Sequence, residues 1–351
     1  MPENLDRRAY DLLRLIDGHE PIGSIRLVDL LNRHGYSIKS RTVRLMLSNL
    51  DDAGYTKKIP GKGRCLTPEG QSELERGHVG ARLEQVRERI RTLTGQVTYD
   101  PFEDTGEVVA ASITVPRAEL DAALDAIEPL AETPLGPIRL AIEEDVFASA
   151  DSESADLVRL SAPSSITLDG VLLSRGINAE LRTAGIVEYY AGRDADAFPH
   201  EGAFAPDNGG AVLRYTDAIS GEGSTVDVVS LLIEAGRTAV RPAVDDSDVP
   251  ALFVVDNREF PLMRYDEAVD LAIEARDRLG GVLDVRKPRE DGPFPTEKPG
   301  WGFASMTYGA VGELVLSLLT ADGYAESWET LSGLVPRSRF ERVSVVRARR
   351  T

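Results

Sequence analysis

"SRTVRLMLSNLDDAGYTKKIPGKGRCLTPEG" occupies residues Ser40–Gly70. Its first part places Val43, Met46, Leu47 and Leu50 on one helical face and Arg41, Arg44, Leu45 and Ser48 on the other. Ser40 stands where an N-cap is expected. Past Gly54, Tyr55 to Ile59 reads as a strand, "PGKG" as a turn and Arg64 to Leu66 as a returning strand. Thr67 then caps a further helix with Pro68 at its first position. Upstream, "LDRRAYDLLRLIDG" repeats Leu5, Ala9, Leu12 and Ile16 at three to four residues, and Gly18 can stop it. "SIRLVDLLNRHG" offers Ser24 as a cap, Leu27, Leu30 and Leu31 as a buried stripe, and Gly35 as a terminator. Three helices followed by a basic hairpin predict an N-terminal winged helix-turn-helix, mainly α with a β-hairpin wing, over residues 1–80.

The charge is placed unevenly. The chain carries a net charge of -18, yet four of its six lysines, Lys39, Lys57, Lys58 and Lys62, fall in or next to this stretch. Residues 1–80 hold 13 Lys+Arg against 11 Asp+Glu, a net of +2, which leaves -20 for the remainder. An Asp/Glu-rich, Lys-poor composition fits a surface adapted to a concentrated-salt cytoplasm, where repulsion is screened. The lysines then sit where an acidic protein must meet a polyanion. In a winged helix the third helix enters the major groove and the wing lies along phosphates. That places Lys39, Ser40, Arg41, Thr42 and Arg44 at the DNA, with Arg41 and Arg44 able to fork onto guanine O6 and N7. Lys57, Lys58, Lys62 and Arg64 become phosphate contacts. The same fold also serves as a protein-binding module, and a net of +2 leaves that alternative open.

At 351 residues the chain is long enough for two to three domains. Its longest apolar runs fall far short of the ~18 residues of a membrane helix. "MPENLDRRAY" lacks an apolar secretory core. One cysteine, Cys65, and four histidines point away from disulfides and zinc. The expectation is a cytoplasmic protein with no membrane, metal or cofactor. "ARLEQVRERIRTLTG" (residues 81–95) carries Leu83, Val86, Ile90 and Leu93 at helical spacing and reads as a connector or dimer-forming helix. Residues 96–351 alternate irregularly between strand-like and helical runs, which predicts an α+β, mixed-sheet regulatory domain. "SSITLDGVLLSRG" is placed among the strands, with Asp169-Gly170 as a hairpin turn. No internal repeat is evident, and the stretch from about Gly292 is given no role.

Four ordered segments, "SSITLDGVLLSRGI" (164–177), "AGIVEY" (184–189), "RYTDAISGEGSTVDVVSLLI" (214–233) and "DNREFP" (256–261), resemble the regulatory domain of the archaeal NrpR-type repressors of nitrogen assimilation. The resemblance spans roughly residues 1–290 and includes the winged-helix head. It implies a homodimeric repressor on a double-stranded DNA operator, released by the effector 2-oxoglutarate. Three places depart from the pattern: Ser164 stands where the family often has cysteine, residues 183–185 read "TAG", and the C-terminal part lacks a Gly-Gly-Leu-Asn-Pro-like turn. A dicarboxylate needs hydroxyls, cationic donors and backbone N–H groups. Within these segments Ser164, Ser165, Thr167, Arg175, Asn178, Gly223, Ser224 and Thr225 are the effector-site candidates.

No G-x-S-x-G, P-loop, H-E-x-x-H or GxGxxG context is present, and His19, His34, His78 and His200 lie outside any triad pattern. A binding protein is therefore expected rather than an enzyme. The alternatives are a regulator answering a different small carboxylate or amino acid, a partner-binding module, and a nucleic-acid-processing enzyme whose acidic residues hold magnesium.

Overall fold

The computed structural model describes residues 7–33, 35–76, 79–146, 156–191, 210–220, 225–245 and 249–350, and the chain divides between Glu84 and Gln85 into two units. In the first, α1 (Arg7–Asp17), α2 (Ser24–Arg33) and α3 (Ser40–Asp52) precede the hairpin β1 (Thr56–Ile59) and β2 (Gly63–Leu66), then α4 (Pro68–Arg76). The apolar stripes meet in one core of Leu12, Leu13, Ile16, Leu27, Leu31, Val43, Leu47 and Leu50. Ile22 adds a single antiparallel bridge to Arg64. Gly63 has φ 131°, and a Cβ there would lie 2.3 Å from the Ile22 carbonyl carbon, so only glycine lets this third segment close on the wing. Thr67 caps α4 as expected, its Oγ1 accepting from Gly70 N at 3.0 Å. Ser40 does not cap α3. The extended residue at that boundary is Lys39, and Ser40 is already helical. Ser24 likewise opens α2 from inside.

The second unit begins within α5 (Val79–Gln96) and continues as β3 (Glu107–Pro116), α6 (Leu120–Ile127), β4 (Arg139–Val146), β5 (Leu157–Pro163), α7 (Ile166–Ser174) and β6 (Glu180–Tyr190). Then come β7 (Ala211–Ser220), α8 (Thr225–Glu234), β8 (Ala251–Pro261), α9 (Tyr265–Leu279), β9 (Val282–Arg286) and β10 (Phe303–Gly309). The chain finishes with α10 (Val311–Ala321), β11 (Ser327–Pro336), β12 (Glu341–Arg342) and α11 (Val343–Ala348). Two five-stranded antiparallel sheets result, in the orders β11-β3-β5-β4-β12 and β7-β6-β8-β10-β9. The α+β architecture follows.

The two sheets contain a duplication that the sequence does not advertise. Strand, 3-10 turn, helix, two strands and a helix follow one another from β3 to α7 and again from β8 to α10. The sheet orders β3-β5-β4 and β8-β10-β9 correspond. The next strand of each half crosses over: β6 pairs with β8, and β11 pairs with β3. Pro116, Asp121, Ala123 and Asp125 recur, at one constant offset, as Pro261, Asp266, Ala268 and Asp270. The C-terminal stretch supplies β10, an interior strand, and β11, a sheet edge.

Two expectations change. "SSITLDGVLLSRG" forms α7 and not a hairpin, with Ile166 to Leu172 all buried. A helix buried all round shows no amphipathic period, so a short apolar run reads equally as strand. Asp-Gly sits mid-helix because Asp169 has an ion partner and Gly170 admits a neighbour. A Cβ at Gly170 would lie 2.3 Å from Val97 Cβ and 2.9 Å from Thr94 O. Gly170→Ala is expected to lower stability by about 1–3 kcal/mol through overpacking. A urea midpoint unchanged from wild type would refute that close approach. The α5 stripe is also spent internally: Ile90 and Leu93 are buried in one cluster with Val97, Ile166, Leu168 and Val171. Those two side chains are therefore not a free dimer seam.

Candidate nucleic-acid interface and ligand cavities

α3 buries Val43, Leu47 and Leu50 and leaves Arg41, Thr42, Arg44 and Ser48 exposed, with Leu45 62 % exposed between them. Lys39, Ser40, Lys57, Lys58 and Lys62 are exposed as well. In the hairpin Lys57 is opposite Cys65 and Lys58 opposite Arg64, so the two lysines leave opposite faces of β1. Arg64 has a different role from the expected phosphate contact. Its Nε and Nη2 donate to Asp51 Oδ2 at 2.9 and 2.8 Å, and the Thr56 hydroxyl donates to Asp51 Oδ1 at 2.5 Å. Partial burial pushes the Asp51 carboxyl up, but the hydrogen bonds from Arg64 and Thr56 and the charges of Arg64 and Lys58 outweigh it and hold the pKa below the ordinary value. Arg64 thus fastens the wing to the last turn of α3 and sets the angle at which the lysines are presented.

The hydroxyls expected to meet an effector are instead used inside the protein. Ser164, Ser165 and Thr167 lie at or just inside the start of α7 and are 1 to 2 % exposed. Ser164 Oγ donates to Glu313 Oε1 at 2.8 Å, Ser165 Oγ donates to Asp256 Oδ2 at 2.5 Å, and Thr167 Oγ1 donates to Val109 O at 3.1 Å. Ser165 N also donates to Glu313 Oε1 at 3.1 Å. Beside them Arg258 forks onto Asp169, Nε to Oδ1 at 2.6 Å and Nη2 to Oδ2 at 2.8 Å. The helix α7 is therefore stitched to β8 and to its own counterpart α10, both from the second half of the duplication.

This cluster holds more acid than cation. Asp256 Oδ1 and Glu313 Oε2 are buried with no hydrogen-bond partner among the described residues. Burial pushes both carboxyls up, Asp256 to about 6 and Glu313 to about 7, and each is raised further by a neighbouring acid. A carboxyl whose pKa is raised by folding binds its proton more tightly in the native state. Its stabilisation is complete below the unfolded value, ~4.5, and is lost as pH rises through the folded value. Urea stability is expected to fall between pH 5 and pH 8 by this contribution, and Glu313→Gln should flatten the slope (window set by the shifts to about 6 and about 7). An identical pH profile for that variant would remove Glu313 as the titrating group.

Two cavities of ligand size lie among the described residues of this unit. One, of about 390 Å³, lies between α5, α7 and β6 and is lined by Arg87, Arg91, Thr94, Asp169, Leu173 and Asn178, among others. Thr94 Oγ1 is buried there without a partner among the described residues. The other, of about 540 Å³, lies over the second sheet. Of the expected effector residues, Asn178 lines the first of these cavities. Arg175 instead points to Asp100, with Nη2–Oδ2 3.0 Å, at the surface. Gly223 and Ser224 lie outside the described residues, and Thr225 opens α8.

Residues 83–197 match the family described as NrpR regulatory domains NRD1 and 2, and residues 11–74 match the ribonuclease R winged-helix domain. The segment 83–197 is thus similar to NrpR regulatory domains. The chain is 27 % identical over 251 residues to the global nitrogen regulator NrpRI of Methanosarcina mazei, covering 71 % of itself and 72 % of that protein. It is 26 % identical over 271 residues to the global nitrogen regulator NrpR of Methanocaldococcus jannaschii, covering 76 % of itself but 44 % of the relative. With NrpR of Methanococcus maripaludis the values are 24 % over 289 residues, 81 % and 46 %. The chain thus spans less than half the length of these last two. Its fold is similar to the crystal structure of a nitrogen repressor-like protein from Methanococcus jannaschii, with TM-score 0.52 and 17 % identity over 74 % of this chain and 98 % of the other.

The matched segment 83–197 runs from α5 to just beyond β6 and so contains every residue of the 390 Å³ cavity. Arg87, Arg91 and Thr94 escape a reading of the sequence because they sit on the polar side of a helix that looks like a connector. Their spacing at positions i, i+4 and i+7 is the available signal.

Proposed function

We propose that this protein is a DNA-binding transcriptional regulator, a homodimeric repressor of nitrogen-assimilation genes whose operator is released by 2-oxoglutarate. The observation that carries the reading is the exposed arginine pair of α3 beside a wing that holds its lysines in water. Leu45 on the same face suits the thymine methyl. The names of the relatives, global nitrogen regulators, support the nitrogen link. For the effector, the 390 Å³ cavity offers two guanidinium groups, the buried Thr94 hydroxyl and the Asn178 carboxamide as donors to a dicarboxylate, while its two carboxylates have cations outside the lining, Asp169 on Arg258 and Glu180 3.3 Å from Arg182. Such a ligand would hold α5 against α7, and α5 is the helix that follows the winged-helix unit in the chain.

The direct test titrates the full chain onto promoter DNA of nitrogen-assimilation genes in molar potassium chloride, with and without 2-oxoglutarate. Selective binding that the ligand weakens is the expected result, and Arg91→Ala should abolish the response while leaving DNA binding intact. Selective binding indifferent to the ligand would remove the effector assignment. Absence of selective binding would remove the repressor. The triple variant Lys57→Ala, Lys58→Ala, Lys62→Ala should weaken binding about equally on all sequences and reduce the salt slope by roughly 0.9 for each phosphate no longer neutralised. A change confined to one operator sequence would contradict a phosphate role.

A further inference from the structure

The larger cavity, about 540 Å³, is within the range of roughly 300–1,000 Å³ usual for small-molecule sites. Its floor is one face of the second sheet at Thr183 of β6, opposite Asn257 of β8, and at Ser305 of β10, opposite Glu259. Thr183, Asn257 and Ser305 are 2, 3 and 6 % exposed, respectively. A sheet face that merely packed against a covering loop would carry apolar residues, because buried polar groups cost free energy unless they are bonded. This face is polar and organised. Asn257 Nδ2 donates to Ser305 Oγ at 2.8 Å and to Thr307 Oγ1 at 3.0 Å, and Tyr215 OH is 2.7 Å from Thr307 Oγ1. With its oxygen accepting from Asn257, Ser305 keeps its own O–H proton to donate, and Asn257 keeps its carbonyl oxygen as an acceptor.

The covering segment is built onto the sheet. Arg286 of β9 forks onto Asp284 at 2.8 Å through both Nε and Nη2, and its Nη1 donates to Asp291 O at 2.7 Å. Gly292 passes so close that a Cβ would lie 2.1 Å from that guanidinium. Residues 295–300 then form the roof. At the rim stand Arg182 and Lys298, and against them Glu259 and Glu297. Arg182 Nε is 3.5 Å from Glu259 Oε2, and Lys298 Nζ is 3.2 Å from Asp291 Oδ1. The lining charges balance, two of each sign.

We propose that this cavity binds a free α-amino acid as its zwitterion, a second ligand site separate from the one between α5 and α7. The carboxylate is met by Arg182 and the Ser305 hydroxyl, and the ammonium by Glu259 and the Asn257 carbonyl oxygen. A dicarboxylate without an amine would set its second charge against Glu259 or Glu297 with no surplus cation in the lining to answer it.

The test measures binding to the full chain by calorimetry, using the standard L-amino acids one by one, with amine-free hydroxy acids and 2-oxoglutarate as controls. At least one amino acid is expected to bind, its amine-free analogue is not, and Glu259→Gln and Ser305→Ala should each weaken it about tenfold or more, as removal of a bond to a charged group does. Arg91→Ala, in the other cavity, should leave it unchanged, so this proposal and the effector assignment fail separately. Circular dichroism of each variant checks that it is folded. The proposal is overturned if none of the amino acids binds at millimolar concentration, if the amine-free analogues bind equally, or if binding survives in folded Glu259→Gln and Ser305→Ala proteins or is lost in Arg91→Ala.

Discussion

Replacing Arg41 and Arg44 together by alanine is expected to abolish sequence-selective DNA binding while the head stays folded. Both side chains are exposed, and α3 is held from beneath by Val43, Leu47 and Leu50, so neither arginine contributes to the core. A good bidentate arginine–guanine pair discriminates by about 1–3 kcal/mol, or about 5- to 150-fold for each residue. In concentrated salt, counterion release adds little affinity, and base contacts carry a larger share of what remains. The measurement is a competition between operator and scrambled duplex in molar salt. Retention of the wild-type preference by a folded double variant would remove α3 as the reading helix and turn attention to a protein partner for the wing.

Arg258→Met is expected to cost about 3–5 kcal/mol of stability, because it strands the Asp169 carboxylate in the interior. Arg258 is 0 % exposed and Asp169 5 %, and the pair joins β8 of the second half of the duplication to α7 of the first. Arg258 Nη2 also lies 3.3 Å from the Ser165 carbonyl oxygen, so the substitution loosens the entry to α7 as well. The double variant Arg258→Met, Asp169→Leu should recover most of the stability, since well-packed apolar groups often replace a buried ion pair without penalty. Urea unfolding of the four proteins forms the cycle. Equal destabilisation of the single and double variants would show that packing around the guanidinium, and not the stranded charge, is what matters.

The head is readable because each of its helices is amphipathic and its turns carry their own signals: Gly63 at a positive φ, Thr67 on Gly70 N. The regulatory unit is readable strand by strand but not as an assembly. The helix α7 is apolar on every side, so its periodicity vanishes and Asp169-Gly170 passes for a turn. Ser164 and Ser165 look like ligand donors because they are hydroxyls within the segments that carry the family resemblance. Their partners, Glu313 and Asp256, lie far along the chain and belong to the other half of the duplication. Arg64 misleads for a related reason, since its charge is already answered by Asp51. The wing lysines are legible because exposed charge is a local property.

The crossing-over of strands between halves bears on how the protein is made. Synthesis releases about 5–20 residues per second, and domains fold as they emerge. The winged-helix head has all its elements once Arg76 is out. The first sheet does not, because β3 waits for β11, which ends at Pro336, and β4 waits for β12, which ends at Arg342. Unpaired edges of this kind are templates for aggregation. A nascent chain stalled before Ser327 therefore carries a finished head and an open β3, and it is the species most in need of chaperones.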